Sequence, residues 1–199
     1  MISLYQIKPK FQQLLRPILN RLFKWGVSAN QITIASIVLS ILLGCCVLLS
    51  REIPKLILIH PFGLLLRMML NALDGMMART YNMQSQLGEV LNEMGDVLSD
   101  IAIVLPFAFL PNSPSTLIWI FVLLSVLNEF AGVLSKALGK ERRYDGPMGK
   151  SDRALFIGIY SLVYYFWNDF ALQYSENIFA VASILIAIST LIRLKKPLV

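Results

Sequence analysis

Residues 71–96 read NALDGMMARTYNMQSQLGEVLNEMGD, and they join the end of one long apolar segment to the beginning of the next. A polar or ionisable side chain inside a membrane helix is costly, which makes it a functional candidate. At about 100° per residue, one helical face of the first segment carries Asn71, Asp74, Gly75 and Ala78. Small residues often indicate only close helix packing, but packing explains neither Asp74 nor the neighbouring Arg79. We therefore expect a polar site on this face.

The second segment repeats the pattern with more charge. One face carries Gly88, Asn92, Asp96 and Ser99, and an adjoining arc carries Glu89, Glu93, Asp96 and Asp100. Four carboxylates within twelve residues do not face lipid. Together with Asn71 and Asp74 they form an oxygen-rich set of the kind that Mg²⁺ or Mn²⁺ prefers. The sequence therefore predicts a divalent-metal site between two membrane helices.

The composition places these segments in a bilayer. Of the 199 residues, 56% are hydrophobic and only 15% are charged, whereas a soluble domain carries about a quarter charged residues. Most of six apolar stretches approach the ~20 residues that a helix needs to cross the hydrocarbon core. They cover residues 31–50, 54–79, 88–110, 115–138, 153–168 and 175–193. The sequence predicts an all-α integral membrane protein with six transmembrane helices in a single domain over residues 1–199.

The distribution of basic residues predicts the orientation. One side of the membrane receives Lys8, Lys10, Arg16, Arg21, Lys24, Arg79, Lys136, Lys140, Arg142, Arg143, Lys150, Arg153, Arg193, Lys195 and Lys196. The other side receives only Arg51 and Lys55. By the positive-inside rule both termini are cytoplasmic. This placement also accounts for the net charge of +6 without a nucleic-acid partner.

The same orientation fixes the depth of the acidic residues. With a rise of about 1.5 Å per residue, Asp74 lies roughly 7 Å from Arg79, and Asp96 lies roughly 12 Å from Gly88. Both carboxylates therefore lie towards the cytoplasmic side, where a cavity can open to the cytosol and to lipid.

Residues 9–25, before the first span, have the pattern of an amphipathic helix. Apolar residues recur at helical spacing as Phe11, Leu14, Leu15, Ile18, Leu22 and Trp25, and basic residues occupy much of the remainder. Such a helix is suited to lying in the headgroup plane. A helical topology signal is an equally good interpretation. Ser28 is expected to cap the helix that follows.

The spacing of residues 71–96 resembles the motif of the CDP-alcohol phosphotransferase family. That motif is D-x2-D-G-x2-A-R-x8-G-x3-D-x3-D, and this chain reads N-x2-D-G-x2-A-R-x8-G-x3-N-x3-D. The spacing holds over 26 positions, and six of the eight defining residues agree. The family also has six spans after an amphipathic helix. Its P-N-x-x-T element resembles residues 29–33, where Ala29 replaces the proline before Asn30.

The resemblance implies transfer of a phosphate-linked group from a CDP-alcohol lipid donor, such as CDP-diacylglycerol, to a polar alcohol acceptor, with release of CMP. It implies that Asp96 is the base that deprotonates the acceptor. It also implies roles for the other matched positions: Asn71, Asp74, Asn92 and Asp96 would bind Mg²⁺ or Mn²⁺, and Asn30, Gly75, Ala78 and Arg79 would bind the CDP moiety. By family analogy, the protein is expected to be a homodimer in the bacterial inner membrane.

Two departures from the motif leave the metal chemistry open. Asn71 and Asn92 stand where the family has carboxylates, so the site has two fewer negative charges. Glu89, Glu93 or Asp100 are candidates to compensate for them. Classical two-metal catalysis, transfer with altered metal use, and a catalytically inactive member are all compatible with the sequence.

Other residues also have two interpretations. Arg67 and Glu129 form either a structural ion pair or a substrate contact. The basic residues Arg142, Arg143, Lys150 and Arg153 either determine topology or bind the phosphate of a phosphorylated acceptor. At the level of function, the rivals are a small transporter and a protein that binds CDP-lipid without turning it over. No inverted repeat or broken helix pair favours the transporter.

Overall fold

The computed structural model describes residues 8–198, which form an α-helical bundle. Its α-helices are α1 (Lys8–Lys24), α2 (Ala29–Leu49), α3 (Ile59–Thr80), α4 (Gln86–Val104), α5 (Ser115–Ala137), α6 (Lys150–Phe166) and α7 (Asn168–Lys195). Short 3₁₀ helices cover Pro54–Leu58, Leu105–Phe109 and Lys196–Leu198. The prediction of an all-α fold is confirmed for the described residues.

Four helical segments are long and apolar enough to cross a membrane. They are Ala29–Leu49, Pro54–Thr80, Ser115–Ala137 and Asn168–Leu198, with 21, 27, 23 and 31 residues. The chain is therefore an integral membrane protein. The other two expected spans correspond to α4, which is rich in carboxylates, and to α6, which has 17 residues. The count of six spans stays a prediction.

Helix α2 is the centre of the half that carries the sequence motif, because it packs extensively against both α3 and α4. Its approach to α4 is close at Gly44, where an added Cβ would lie 2.2 Å from the backbone oxygen of Ala102. By contrast, α3 and α4 make little backbone contact with each other. Their facing sides are therefore separated enough to hold polar side chains between them.

The expected capping of α2 is confirmed. The Ser28 side chain accepts a hydrogen bond from the backbone N–H of Gln31, and the Gln31 side chain accepts one from the backbone N–H of Ser28. This reciprocal arrangement satisfies two donors at the beginning of the helix.

Helix α1 is an amphipathic helix held against α3. Leu15 and Leu19 are buried in an apolar cluster with residues of α2 and α3. Near its C-terminal end, Phe23 stacks on Tyr81 with 3.6 Å between ring centroids. Leu14 and Trp25 stay 75% and 71% exposed. The helix is thus confirmed, and its position in the membrane interface stays a prediction.

Basic residues at the ends of α5 and α7 are paired with acidic residues at one end of the bundle. Glu89 at the beginning of α4 pairs with Lys136 at the end of α5. Asp145, in the loop between α5 and α6, pairs with Lys196 beyond α7. The larger apolar core fills the opposite end, with Val47, Leu64, Phe107, Phe121 and Phe179 among its buried members. The bundle therefore has one polar end and one apolar end.

Candidate functional site

The acidic face of α3 is held by hydroxyl groups from α2. Thr33 donates a hydrogen bond to Asp74 Oδ2 at 3.0 Å, and Ser36 donates one to Asn71 Oδ1 at 2.6 Å. The backbone N–H of Gly75 donates to the other carboxylate oxygen of Asp74 at 2.5 Å. Asp74 is only 4% exposed. The two hydroxyls fix the orientation of Asp74 and Asn71, because each of these side chains accepts one of the hydrogen bonds through an oxygen atom.

The guanidinium of Arg79 lies directly against Gly75. A Cβ added at Gly75 would lie 3.3 Å from both Nη atoms of Arg79, and no other group comes as close. Arg79 itself is exposed at the end of α3. Ala78 packs against the smaller apolar cluster beneath α1. The arrangement presents an exposed cation beside a glycine at the end of α3, which suits an anionic ligand.

Asp96 on α4 faces α6. Its carboxylate forms an ion pair with the ammonium of Lys150, the first residue of α6. Asp74 lies within electrostatic range of both Asp96 and Lys150. Asp74 and Asp96, the two carboxylates of the motif, therefore lie in the same region of the bundle. Lys150 at the beginning of α6 adds a positive charge there.

The two remaining motif positions lie on the same side of α4. Asn92 is half-buried one turn before Asp96. Gly88, at the beginning of α4, lies against Asn30 of α2, since an added Cβ would be 2.8 Å from Asn30 Oδ1. Asn30 thus lies at the polar end of the α2–α4 contact, beside the site residues of α4.

Arg67 and Glu129 do not form the ion pair that was one interpretation of the sequence. Arg67 instead bonds to Asp100 with 2.9 Å between Nη2 and Oδ1, and it is 1% exposed. Asp100 also accepts from Arg153, whose Nη2 lies 2.6 Å from Oδ2. Asp100 lies farther from the polar end than Asp96 because it follows Asp96 by one turn. It therefore links α3, α4 and α6 beneath the candidate site.

Glu129 of α5 is surrounded by arginines. Its Oε1 lies 2.7 Å from Arg153 Nη2 and 3.7 Å from Arg193 Nη1, and its Oε2 lies 3.0 Å from Arg142 Nη2. Arg142 also bonds to Glu93 at 2.7 Å. One buried carboxylate thus connects α5, α6, α7 and the loop before α6.

The three carboxylates considered as replacements for the missing acids are all paired with basic groups. Glu89 pairs with Lys136 on the exposed surface, Glu93 with Arg142, and Asp100 with two arginines. Each would have to exchange its basic partner for the metal, as Asp96 would have to exchange Lys150. Compensation for Asn71 and Asn92 from these residues stays a prediction.

The loop between α5 and α6 is fastened to the end of α7. Arg193 donates to the backbone oxygen of Asp145 at 3.1 Å, and Ser189 donates to the same oxygen at 2.9 Å. Burial raises the pKa of the Asp145 carboxyl, but the hydrogen bond and charge of Lys196, with Arg143, outweigh it and hold the pKa below its ordinary value. The loop that leads to Lys150 is thus held by fixed charges.

The donor atoms around Asp74 and Asp96 are suited to a hard divalent cation. Two carboxylates and two amide oxygens offer only oxygen ligands, which Mg²⁺ and Mn²⁺ prefer. Within residues 8–198, no three side chains among His, Cys, Asp and Glu converge on a metal position. The set therefore fits a divalent ion in its chemistry, but with less negative charge than a site of four carboxylates.

The polar end of the bundle thus carries an exposed arginine on α3 and carboxylates on both α3 and α4, as the motif predicts. The model of the CDP-alcohol phosphatidyltransferase family matches residues 26–192, and the chain belongs to this family of transferases. The family predicted from the motif is therefore confirmed.

Two relatives match by sequence. The inner membrane protein YnbA of Escherichia coli is 46% identical over 185 residues, which cover 93% of this chain and 91% of that protein. An uncharacterized protein of Aquifex aeolicus is 32% identical over 105 residues, which cover 53% of this chain and 50% of the relative.

The fold is similar to that of the phosphatidylinositol phosphate synthase of Mycobacterium tuberculosis. A crystal structure of that enzyme with CDP-DAG bound gives a TM-score of 0.75 at 20% identity and covers 93% of this chain and 94% of the other. A second one, in complex with manganese and citrate, gives 0.74 at 21% identity, with coverage of 92% and 88%. These similarities establish the fold.

The sequence pattern did not predict every residue of the site. Thr33 belongs to the element that resembles P-N-x-x-T, but no contact with Asp74 was predicted for it, and no role was predicted for Ser36. A signal was present, because Thr33, Ser36 and Ser40 recur at helical spacing in an otherwise apolar helix. The contact of Lys150 with Asp96 had no such signal, since the two residues are 54 positions apart.

Proposed function

We propose that this protein transfers a phosphatidyl group from CDP-diacylglycerol to the hydroxyl of an acceptor alcohol and releases CMP, as a step of phospholipid biosynthesis. The observation that carries the proposal is that Asp74 on α3 lies within electrostatic range of Asp96 on α4, near the exposed Arg79 that lies against Gly75. Family membership supports the class of reaction. The relative with CDP-DAG bound supports the choice of donor.

The donor is proposed to bind along α3. Arg79 is free to pair with the diphosphate, and a guanidinium can form two parallel hydrogen bonds with phosphate oxygens. Gly75 and Ala78 allow the cytidine part to approach the helix backbone. Asn30 offers a side-chain amide at the polar end of the same cleft.

The proposed metal ligands are Asp74 and Asp96, with the amide oxygens of Asn71 and Asn92. A bound Mg²⁺ or Mn²⁺ would neutralise the diphosphate and polarise its phosphoryl oxygen. Thr33 and Ser36 support this role because they orient the ligand atoms of Asp74 and Asn71.

Asp96 is proposed to be the base. It accepts the proton of the acceptor hydroxyl while the hydroxyl oxygen bonds to the phosphorus that carries the diacylglycerol. The bond between that phosphorus and the oxygen bridging to CMP breaks, and CMP leaves with the electron pair. Lys150 orients the carboxylate of Asp96 through their ion pair. A base must lie within hydrogen-bond reach of the proton that it removes.

The membrane arrangement is proposed to be six spans in one domain, with both termini and the site on the cytoplasmic side of the inner membrane. Helix α4 supports this, because its outward face is apolar and exposed at Leu87, Val90, Met94 and Leu98. Its carboxylates Glu93, Asp96 and Asp100 are paired inside the bundle. Helix α6 likewise exposes Leu155 and Ile159. The exposed apolar side of α1 supports an interfacial position, and the E. coli relative supports the inner membrane.

The proposed oligomeric state is a homodimer, by analogy with the family. Light scattering of the detergent-solubilised protein measures this directly. A monomeric mass under conditions where the protein is active would contradict it.

The transfer reaction is tested by CMP release. Purified protein with Mn²⁺, CDP-diacylglycerol and a panel of polar alcohols should release CMP. Asp96→Asn should lower the rate by about 100-fold or more, because a positioned base contributes on that scale. Asp169→Asn is the matched control, since Asp169 is exposed at the beginning of α7.

Other outcomes would identify the rival functions. Intact binding of CDP-diacylglycerol without CMP release across the panel would favour a binding protein. Uptake of a solute into proteoliposomes without CMP release would contradict the transferase.

A further inference from the structure

The basic side chains beside Asp96 are neutralised by the protein's own carboxylates. We propose that the acceptor is an alcohol without an anionic group, neither phosphorylated nor carboxylate-bearing. This inference rests on the proposed function, because it assumes that the acceptor hydroxyl meets Asp96. We call Arg142, Lys150, Arg153 and Arg193 the basic cluster. It adjoins Asp96 through Lys150, and Glu93 lies within electrostatic range of both Asp96 and Glu129.

Glu129 occupies the position that an anionic ligand of the cluster would need. Three arginines point their guanidinium groups at its two oxygens. The carboxylate is 4% exposed, so solvent does little to screen its charge. An incoming phosphate would meet this fixed negative charge at the centre of the cluster.

Arg153 has no hydrogen-bond donor left for a phosphate. Its Nη2 bonds to Asp100 and Glu129, its Nε lies 3.2 Å from Asp100 Oδ2, and its Nη1 bonds to Asn128 Oδ1 and the backbone oxygen of Met148. The side chain is 3% exposed. Binding an anion there would remove donors from two buried carboxylates, which is unfavourable because each would be left with unpaired charge.

The other members of the cluster are also engaged. Arg193 donates to the backbone oxygens of Asn128 and Asp145 in addition to its contact with Glu129. Arg142 bonds to both Glu93 and Glu129, and Lys150 pairs with Asp96. Every cation of the cluster therefore has a carboxylate partner within the bundle.

A neutral hydroxyl meets a different environment. It neither competes for the ion pairs nor suffers repulsion from Glu93 and Glu129. It can accept from a single free donor, and Nε of Arg142 is buried without a hydrogen-bond partner. A buried N–H without a partner is costly, so a ligand oxygen placed there gains a hydrogen bond. Paired carboxylates can also accept from hydroxyl groups.

Matched acceptors test the proposal. CMP release is measured for inositol against inositol phosphate and for glycerol against glycerol phosphate, with the same donor and metal. At least one neutral alcohol should have a kcat/KM higher than its phosphorylated partner by about tenfold or more, because like charges at close range are strongly unfavourable. A preference for the phosphorylated partner in both pairs would overturn the proposal.

A binding measurement decides the question without turnover. Inorganic phosphate, titrated by calorimetry into the wild-type protein whose donor site is saturated with CDP-diacylglycerol, should show no saturable binding. Glu129→Gln and Glu93→Gln each remove one negative charge with little change in volume, and at least one should gain phosphate binding. Two variants are used because Glu129 is buried. Glu89→Gln is the control, since its ion pair with Lys136 lies on the exposed surface.

The outcomes separate the two proposals. Saturable phosphate binding by the wild type, or no gain in either variant while both remain folded, would overturn the inference about the acceptor. Absence of CMP release with every alcohol would contradict the proposed transfer, and the phosphate titration would still decide whether the cluster accepts an anion.

Discussion

Thr33 and Ser36 are the residues through which the apolar helix α2 reaches the polar face of α3. Their hydroxyls hold Asp74 and Asn71, each through one side-chain oxygen. A side chain in a cleft is useful to a metal or a phosphate only if its orientation is fixed in advance. The hydroxyls of Thr33 and Ser36 supply that orientation. The amides Asn71 and Asn92 give the site less negative charge than four carboxylates would.

Thr33→Val tests the orientation of Asp74. The substitution keeps the shape and removes the hydroxyl, so Asp74 loses a hydrogen bond in a buried position. We expect kcat/KM for CMP release to fall roughly tenfold, which corresponds to a lost hydrogen bond to a charged group. The Mn²⁺ concentration that gives half-maximal activity should rise.

Ser40→Ala is the control for Thr33→Val. The Ser40 hydroxyl bonds to the backbone oxygen of Ser36 within α2 and does not reach α3. An equal loss in both variants would show that helix packing, and not the contact with Asp74, is responsible.

Asn71→Asp tests the effect of charge on metal binding. The new carboxylate can still accept from Ser36, and it restores one of the two missing negative charges. We expect the apparent affinity for Mn²⁺ to rise by about tenfold, because ligand charge is a main determinant of divalent-metal affinity. Calorimetric titration of Mn²⁺ measures it without turnover. Unchanged affinity would remove residue 71 from the ligand set.

At the scale of helices, the contact between α2 and α4 sets the width of the site. Gly44 packs against the backbone oxygen of Ala102 and the ring of Pro106, at 2.2 and 3.1 Å from an added Cβ. Gly95 similarly faces Ile37, with an added Cβ at 2.7 Å. Such close approach is typical of small residues between membrane helices. It places Asp96 at a fixed distance from the residues that α2 holds on α3.

Gly44→Ala tests this contact. The added methyl group meets a backbone atom that cannot move aside, so α2 and α4 must separate. We expect destabilisation of about 1–3 kcal/mol, measured by unfolding in mixed micelles, together with reduced CMP release. Gly158→Ala is the matched control, because its Cβ would meet Leu64 and Pro61 at ordinary distances of 3.6–3.8 Å. Equal stability of the two variants would contradict the role of the contact.

Helix boundaries show how far local sequence determines the elements. The predicted segment 54–79 begins instead as a 3₁₀ helix at Pro54, and α3 starts at Ile59. The predicted segment 88–110 divides at Val104, because Pro106 has no backbone N–H with which to continue the α-helical hydrogen bonds. Helix α7 begins at Asn168, earlier than the predicted 175, since hydropathy does not register its polar first turns. The apolar parts of the helices were predictable, as were the ends of α2 and α5, but ends that lie in 3₁₀ helices or polar turns were not.

The same division applies to the site. The motif predicted that Asp74 and Asp96 each lie on the polar face of their helix, because spacing within a helix determines which face a residue occupies. It could not assign the partners of Arg67 or Glu129, which depend on how distant helices pack. Arg153 contacts residues of α4 and α5 that are 53 and 24 positions away. The resulting neutralisation of the basic cluster is a tertiary property.

At the scale of the whole molecule, packing and chemistry occupy opposite ends of the bundle. The end with the larger apolar core contains Phe107, Phe121 and Phe179 packed edge to face or stacked with other aromatic rings. The other end holds the ion pairs and the motif residues. Buried ion pairs contribute little net stability compared with apolar packing. Apolar packing can therefore stabilise the bundle while the polar end keeps its costly charges for binding and catalysis.

The orientation of the polar end is tested by cysteine labelling. In a background with Cys45 and Cys46 replaced by serine, Gln84→Cys lies in the exposed turn between α3 and α4, and Thr116→Cys lies at the exposed beginning of α5. We expect a membrane-impermeant maleimide to label Thr116→Cys in intact spheroplasts, and Gln84→Cys only after permeabilisation, because the basic segments stay in the cytoplasm. The opposite labelling would invert the topology. It would also place Asp74 and Asp96 away from a cytosolic acceptor, since both lie at the basic end.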